Sequence, residues 1–140
     1  MIRFRMFRIN VPQFAILKES MPAGNINLNT QLEFGYIADA RRVSCEMKFD
    51  FSSEETAFIT MILRCEFEVF KDDWDAFIKE STLTIPKSVL ELFAVHTVGT
   101  ARGIMFCRTE GTPFNYIIIP PINVSEMISS DLSANLETKE

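Results

Sequence analysis

A chain of 140 residues is the length of one domain and is long enough to bury a core without disulfides or metals. Its net charge of −5 argues against a nucleic-acid backbone as partner, and 47% apolar content with 24% charge is that of a globular domain. Three cysteines, Cys45, Cys65 and Cys107, are odd in number and lack C-x-x-C spacing, which fits a reducing, cytoplasmic location. Arg3, Arg5 and Arg8 interrupt any signal-peptide apolar core, and no uninterrupted apolar run approaches the ~20 residues of a membrane span. No membrane insertion is expected.

The elements follow in chain order. Phe4 to Leu17 contains a strand or two, broken near Pro12, and Met21-Pro22-Ala23-Gly24-Asn25 is a connecting loop. Leu28 to Ala38 is a second strand, with Leu32, Phe34 and Tyr36 on one side, and Asp39 to Arg42 its turn. Residues 42 to 51 alternate: Val43, Cys45, Met47, Phe49 and Phe51 are apolar, and Ser44, Glu46, Lys48 and Asp50 polar. Past a turn at Ser52-Ser53-Glu54-Glu55, Thr56 to Phe70 alternates again. Ala57, Ile59, Met61, Leu63, Cys65, Phe67 and Val69 form one row, and Phe58, Thr60, Ile62, Arg64, Glu66, Glu68 and Phe70 the other. These two strands form an antiparallel hairpin with an apolar inner face.

Beyond Phe70 the period changes. Asp72 to Glu80 predicts a short helix with Trp74, Phe77 and Ile78 on one side. Pro86 suits the start of a longer helix running from Val89 to Arg108. Gly99 and Gly103, four apart inside it, either permit close approach of another backbone or mark a bend. Tyr116 to Ile119 reads as extended and stops at Pro120-Pro121; Ser125 to Leu136 reads as a short final helix. Strands followed by helices predict an α+β fold: a four-stranded antiparallel sheet with one long and one short helix packed on one face. Residues 1–128 make the single domain expected, and residues 129–140 a polar, flexible tail.

Catalytic chemistry is hard to assemble from these residues. His96 is the only histidine, and Cys107 lies eleven residues along the same helix, about 16 Å away and out of hydrogen-bond reach. One histidine and three dispersed cysteines lack metal-ligand spacing, and no phosphate-binding glycine motif is present, so neither metal nor cofactor is expected. Thirteen Phe and seven Met either fill core or line an adaptable apolar binding surface. The acids between Glu66 and Glu80 form a solvated face or a docking surface for a basic partner.

Three short motifs stand in order: Glu54-Glu55-Thr56-Ala57-Phe58 opening the fourth strand, Gly111-Thr112-Pro113-Phe114 after the long helix, and Ile119-Pro120-Pro121-Ile122-Asn123 before the short one. In that order and spacing the chain resembles the export chaperone SecB and its SecB-like relatives, over Glu54 to Ile128 and more loosely over Phe4 to Phe51. The resemblance implies a dimer of dimers, with helices and first-strand edges at its interfaces. It implies an ATP-independent holdase that binds unfolded polypeptides or preproteins in hydrophobic grooves and, in the founding family, passes them to the SecA motor. Some relatives instead protect the antitoxin of a toxin–antitoxin system, a dedicated interaction with one partner. Client-binding residues expected here are Met21, Pro22, Phe34, Tyr36, Trp74 and Phe77, with Glu66 and Glu68 for partner docking. The chain departs from the family in carrying Ile59, Thr60 and Met61 where an acid serves SecA docking, and in a longer connection from Lys71 to Ile85. SecA is therefore a doubtful partner.

Overall fold

The computed structural model describes residues 1–137. Its central layer comes from the alternating segments. Strands β1 (Phe4–Ile16), β2 (Asn27–Ile37), β3 (Arg42–Ser53) and β4 (Thr56–Val69) form an antiparallel sheet in the order β1-β4-β3-β2. The apolar rows of β3 and β4 from Val43 to Phe51 and from Ile59 to Val69 are buried, and Ser44, Glu46, Lys48, Ile62, Arg64, Glu66 and Glu68 stand half-exposed on the outer face.

Phe58 breaks the alternation. The register shifts between Phe51 and Ser52, so Phe51 faces Ile59 while Ser52 faces Ala57. Phe58 is the extra residue of this bulge. It turns into the core, where its ring stacks on Phe114 at 5.6 Å, instead of joining the outer row. The hairpin tip, Glu54-Glu55, has φ of 53° and 68°, the left-handed pair a two-residue type I′ turn requires.

The region from Phe4 is one strand. It absorbs Pro12 in a register shift between Asn10 and Gln13, on a sheet edge where a missing N–H can be tolerated. Because β1 and β2 occupy opposite edges, the loop from Leu17 to Ile26 must cross the ends of β4 and β3. Leu17 N–H donates to Phe58 O (2.8 Å), and Gly24 passes so close to β3 that a Cβ there would lie 2.9 Å from Ser53 Oγ.

Past β4 the predicted short helix ends early. Helix α1 covers Lys71–Asp75, and the chain then forms the hairpin β5 (Ile78–Lys79) and β6 (Thr82–Ile85) around Glu80-Ser81, both with positive φ. Strand β7 (Leu132–Asn135) pairs with β6, giving a second sheet β5-β6-β7. The expected helix from Ser125 to Leu136 is thus replaced by one 3-10 turn, Val124–Met127, and a strand. Leu132, Ala134 and Leu136 are half-buried while Ser133 and Asn135 are exposed, a period of two compressed into too few residues to outweigh the helical reading. Residues 132–135 therefore belong to the folded body rather than to a flexible tail. Thr138, Lys139 and Glu140, the end of that expected tail, lie outside the described residues.

Helix α2 (Lys87–Arg108) starts directly after Pro86 and lays Val89, Leu90, Phe93, Ala94, Thr97, Val98, Ala101 and Met105 on the sheet. Phe93 stacks flat on Phe67 at 4.3 Å and 4°. The stretch from Tyr116 to Ile119 runs beside α2 without joining a ladder. Its Ile117 and Ile119 are buried, and the Arg102 side chain donates to Ile119 O (2.6 Å) and Pro120 O (3.0 Å), in place of a neighbouring strand. Glu91 and Arg102 interrupt the apolar run of α2, yet by length and mean composition the helix could cross a bilayer; 44% of its most apolar stretch is buried against the fold.

Candidate functional site

The chemically reactive side chains do not assemble. His96 is exposed, its ring edge-on to Phe4 at 5.6 Å, and Cys107 is exposed further along the same helix. Cys45 and Cys65 sit opposite one another on β3 and β4, both enclosed. Burial pushes the Cys45 thiol up to about 12, and burial also raises Cys65, so both are neutral thiols that behave as core. Among the described residues no group of three or more His, Cys, Asp or Glu converges to hold a metal.

Exposed apolar surface is the better-developed feature. One groove of about 300 Å³ runs along β2, an edge strand. Leu32, Phe34, Leu90, Met127, Ile128 and Leu132 supply its apolar lining, and Glu33 and Asp131 its acidic rim. Alternation along β2 puts Leu32 and Phe34 on the α2 side. The 3-10 turn brings Met127 beneath them, with Thr30 Oγ1 3.8 Å from Met127 Sδ.

The six residues expected to bind clients do not share that groove. Phe34 lines it; Tyr36, 39% exposed, lines a separate hollow with Gly35 and Arg42. Met21 and Pro22 are half-buried on the crossing loop, Met21 against the core. Trp74 is 2% exposed and meets Phe77 edge-on at 5.9 Å, so its indole packs the core and presents no binding surface. The helical spacing of Trp74, Phe77 and Ile78 was a packing signal. Sequence reasoning missed Leu90, Met127 and Ile128. Their convergence depends on the chain running back along α2, from Ile119 beside Arg102 to Asp131 beside Lys87, a path that leaves no local signature.

A second apolar surface lies on α2. A broad hollow of about 700 Å³ is bordered by Val11, Thr100, Ile104 and Cys107 around Gly99 and Gly103. A Cβ built at either glycine meets nothing within 4 Å, while Val95 (55%) and Phe106 (44%) stand exposed on the same helix. The glycines therefore serve no close approach within this chain.

Glu66 and Glu68, expected to offer a free acidic surface, are surrounded by arginines. Arg5 Nε donates to Glu68 Oε1 at 2.7 Å, and this bond holds the Glu68 carboxyl below its ordinary range, with Arg41 and Arg42 adding to the effect. Arg3 does the same for Asp73 through two bonds, from its backbone N–H (2.9 Å) and its Nε (3.0 Å). Glu66 faces Arg8 on one side and Ser44 on the other. A basic partner approaching these acids would meet guanidinium groups first.

No protein-family model matches the chain. No curated protein matches it either. Among solved structures it is similar to a Mycobacterium tuberculosis SecB-like chaperone in complex with a ChAD peptide from an antitoxin, at 14% identity over 87% of this chain and 86% of that chain, with a TM-score of 0.42.

Proposed function

We propose that this chain is a SecB-like, ATP-independent chaperone that holds an extended apolar segment of another polypeptide along β2. The observation that carries this reading is the groove itself. An apolar floor of Leu32, Phe34, Leu90 and Ile128 lies beside an edge strand with one row of unpaired backbone groups. An extended segment can satisfy those groups while alternate side chains enter the groove. Burying apolar surface contributes about 25 cal/mol per Å² before ordering costs, so the groove lining together with the side chains that enter it favours reversible holding. Met127 lets the floor repack around different side chains. The sequence motifs that resemble the SecB family point the same way.

A second reading is favoured by the size of the groove. At about 300 Å³ it takes a few side chains and no long stretch of unfolded chain. That suits one dedicated client with a short apolar motif, as in the toxin–antitoxin branch of the family. Assembly would enlarge the surface, and the α2 face around Gly99 and Gly103 is our candidate for contact between copies, with the β1 edge as the second interface. Several grooves on one oligomer would add avidity.

The groove is tested by titrating a labelled, extended apolar peptide flanked by lysines into the purified chain. Saturable binding that drops about tenfold or more in Phe34→Asp is the expected outcome. Equal affinity for wild type and for both Phe34→Asp and Leu32→Asp, with unchanged circular dichroism, would place the client elsewhere or nowhere.

A further inference from the structure

We propose that the arginine-rich end of the outer sheet face docks a carboxylate-rich segment of a partner protein. Val69 N–H donates to Arg41 O and Phe70 N–H to Arg3 O, so the end of β4 draws the β2–β3 turn and the start of β1 together. That places Arg3, Arg5, Arg8, Arg41 and Arg42 in one region of a molecule whose net charge is −5. Two of the five are answered, Arg3 by Asp73 and Arg5 by Glu68. Arg8, Arg41 and Arg42 form no ion pair among the described residues, and Arg41 spends one N–H on Val69 O at 2.7 Å.

Arg42 is the centre of the site. Phe7 is the extra residue in the register shift between Met6 and Arg8, and its ring lies under three guanidinium groups: Arg42 at 3.6 Å, Arg8 at 5.1 Å and Arg5 at 5.4 Å. Stacking on Phe7 fixes the plane of the Arg42 fork, and its Nε–H is enclosed without an acceptor. A hollow of about 260 Å³ beside it is lined by Ser44, Arg64 and Glu66, and a second of about 340 Å³ by Arg3, Arg5, Arg41 and Glu68. A planar carboxylate is the acceptor that matches a preorganised guanidinium fork.

Protein carboxylates fit better than a nucleic-acid backbone. Glu66, Glu68 and Asp73 are interspersed among the cations, and the remainder of the molecule is acidic, so a continuous run of phosphates would be repelled along most of its length. Discrete carboxylates on an extended peptide can sit between those acids. Arg42, Arg64 and Glu66 stand on the outer face of the sheet, whereas the client groove lies on the α2 side of β2, so a partner here and a client at β2 can be held at once.

The test uses the full chain and a fluorescent Asp/Glu-rich decapeptide, followed by anisotropy. Saturable binding is expected that weakens as salt rises past 0.1 M, where the screening length is about 10 Å. The double variant Arg8→Glu/Arg42→Glu loses about tenfold or more in affinity, and Arg42→Lys, which keeps the charge and loses the fork, loses severalfold. Binding of the apolar lysine-flanked peptide at β2 stays unchanged in both, which separates this site from the groove. The proposal is overturned if a neutral or lysine-rich decapeptide binds equally well, if folded variants bind the acidic peptide as wild type does, or if a single-stranded RNA homopolymer binds more tightly than the acidic peptide.

Discussion

Cys45 shows how one residue reports on the whole core. Its thiol is ordinarily ionised above 9.0, but burial holds it protonated to about 12 in the native chain. Between those values the unfolded chain gives up a proton that the native chain keeps. The contribution to stability is therefore full below 9.0 and declines as pH rises toward about 12. Urea unfolding at neutral pH and at about pH 10 should show a smaller alkaline loss in Cys45→Ala than in wild type. Exposure makes a simpler check: a thiol reagent should modify Cys107 in the free protomer, more slowly where a second copy covers the α2 face, and Cys45 and Cys65 only after denaturation. At the acid end the sign reverses. Glu68 and Asp73 have depressed carboxyls, so their contribution is present above 4.5 and 3.8 and is lost as pH falls through the native values. Trp74 belongs with the cysteines: Trp74→Ala should destabilise by about 3–5 kcal/mol in a denaturant melt, whereas a surface role would cost little.

Elements differ in how openly the sequence declares them. Strands β3 and β4 were legible because one face meets the core and the other meets water: Val43 to Phe51 and Met61 to Val69 are buried in strict alternation. What the alternation could not carry was the bulge that turns Phe58 inward, since one extra residue leaves no compositional trace. Strand β7 was read as helix because Leu132–Asn135 is short, and it exists only because β6 is there to pair with. The long helix was evident, and its two glycines were noticed, but the empty space beside them is a property of the assembled fold. That space yields a prediction. Gly99→Ala and Gly103→Ala should each raise protomer stability by up to about 1 kcal/mol, since a methyl group meets nothing within 4 Å among the described residues. On the proposed α2 contact between copies, Gly99→Leu with Gly103→Leu should give smaller species than wild type in size-exclusion chromatography with light scattering. An unchanged mass would remove α2 from the contact between copies.

At the scale of the whole molecule, topology converts local patterns into surfaces. The order β1-β4-β3-β2 separates two strands that are consecutive in sequence and leaves β2 as an open edge beside the groove. It also brings Arg3 and Arg41 to the end of β4, so that a stretch rich in acids becomes a surface where arginines and carboxylates intermix. Neither outcome could be read from composition, because both depend on which strands become neighbours. Phe34 alone among the expected binding residues reaches the groove, while Trp74 was misread because a large aromatic suits core and surface equally well in sequence. The central claim is that the apolar groove holds polypeptide. It is tested most directly by diluting a chemically unfolded model protein into buffer and following light scattering, with this chain present at increasing ratio and no nucleotide added. The account predicts that wild type delays aggregation in proportion to its concentration and that Phe34→Asp, folded to the same extent, delays it far less. Aggregation that proceeds at the same rate with wild type, with Phe34→Asp and with neither would contradict it.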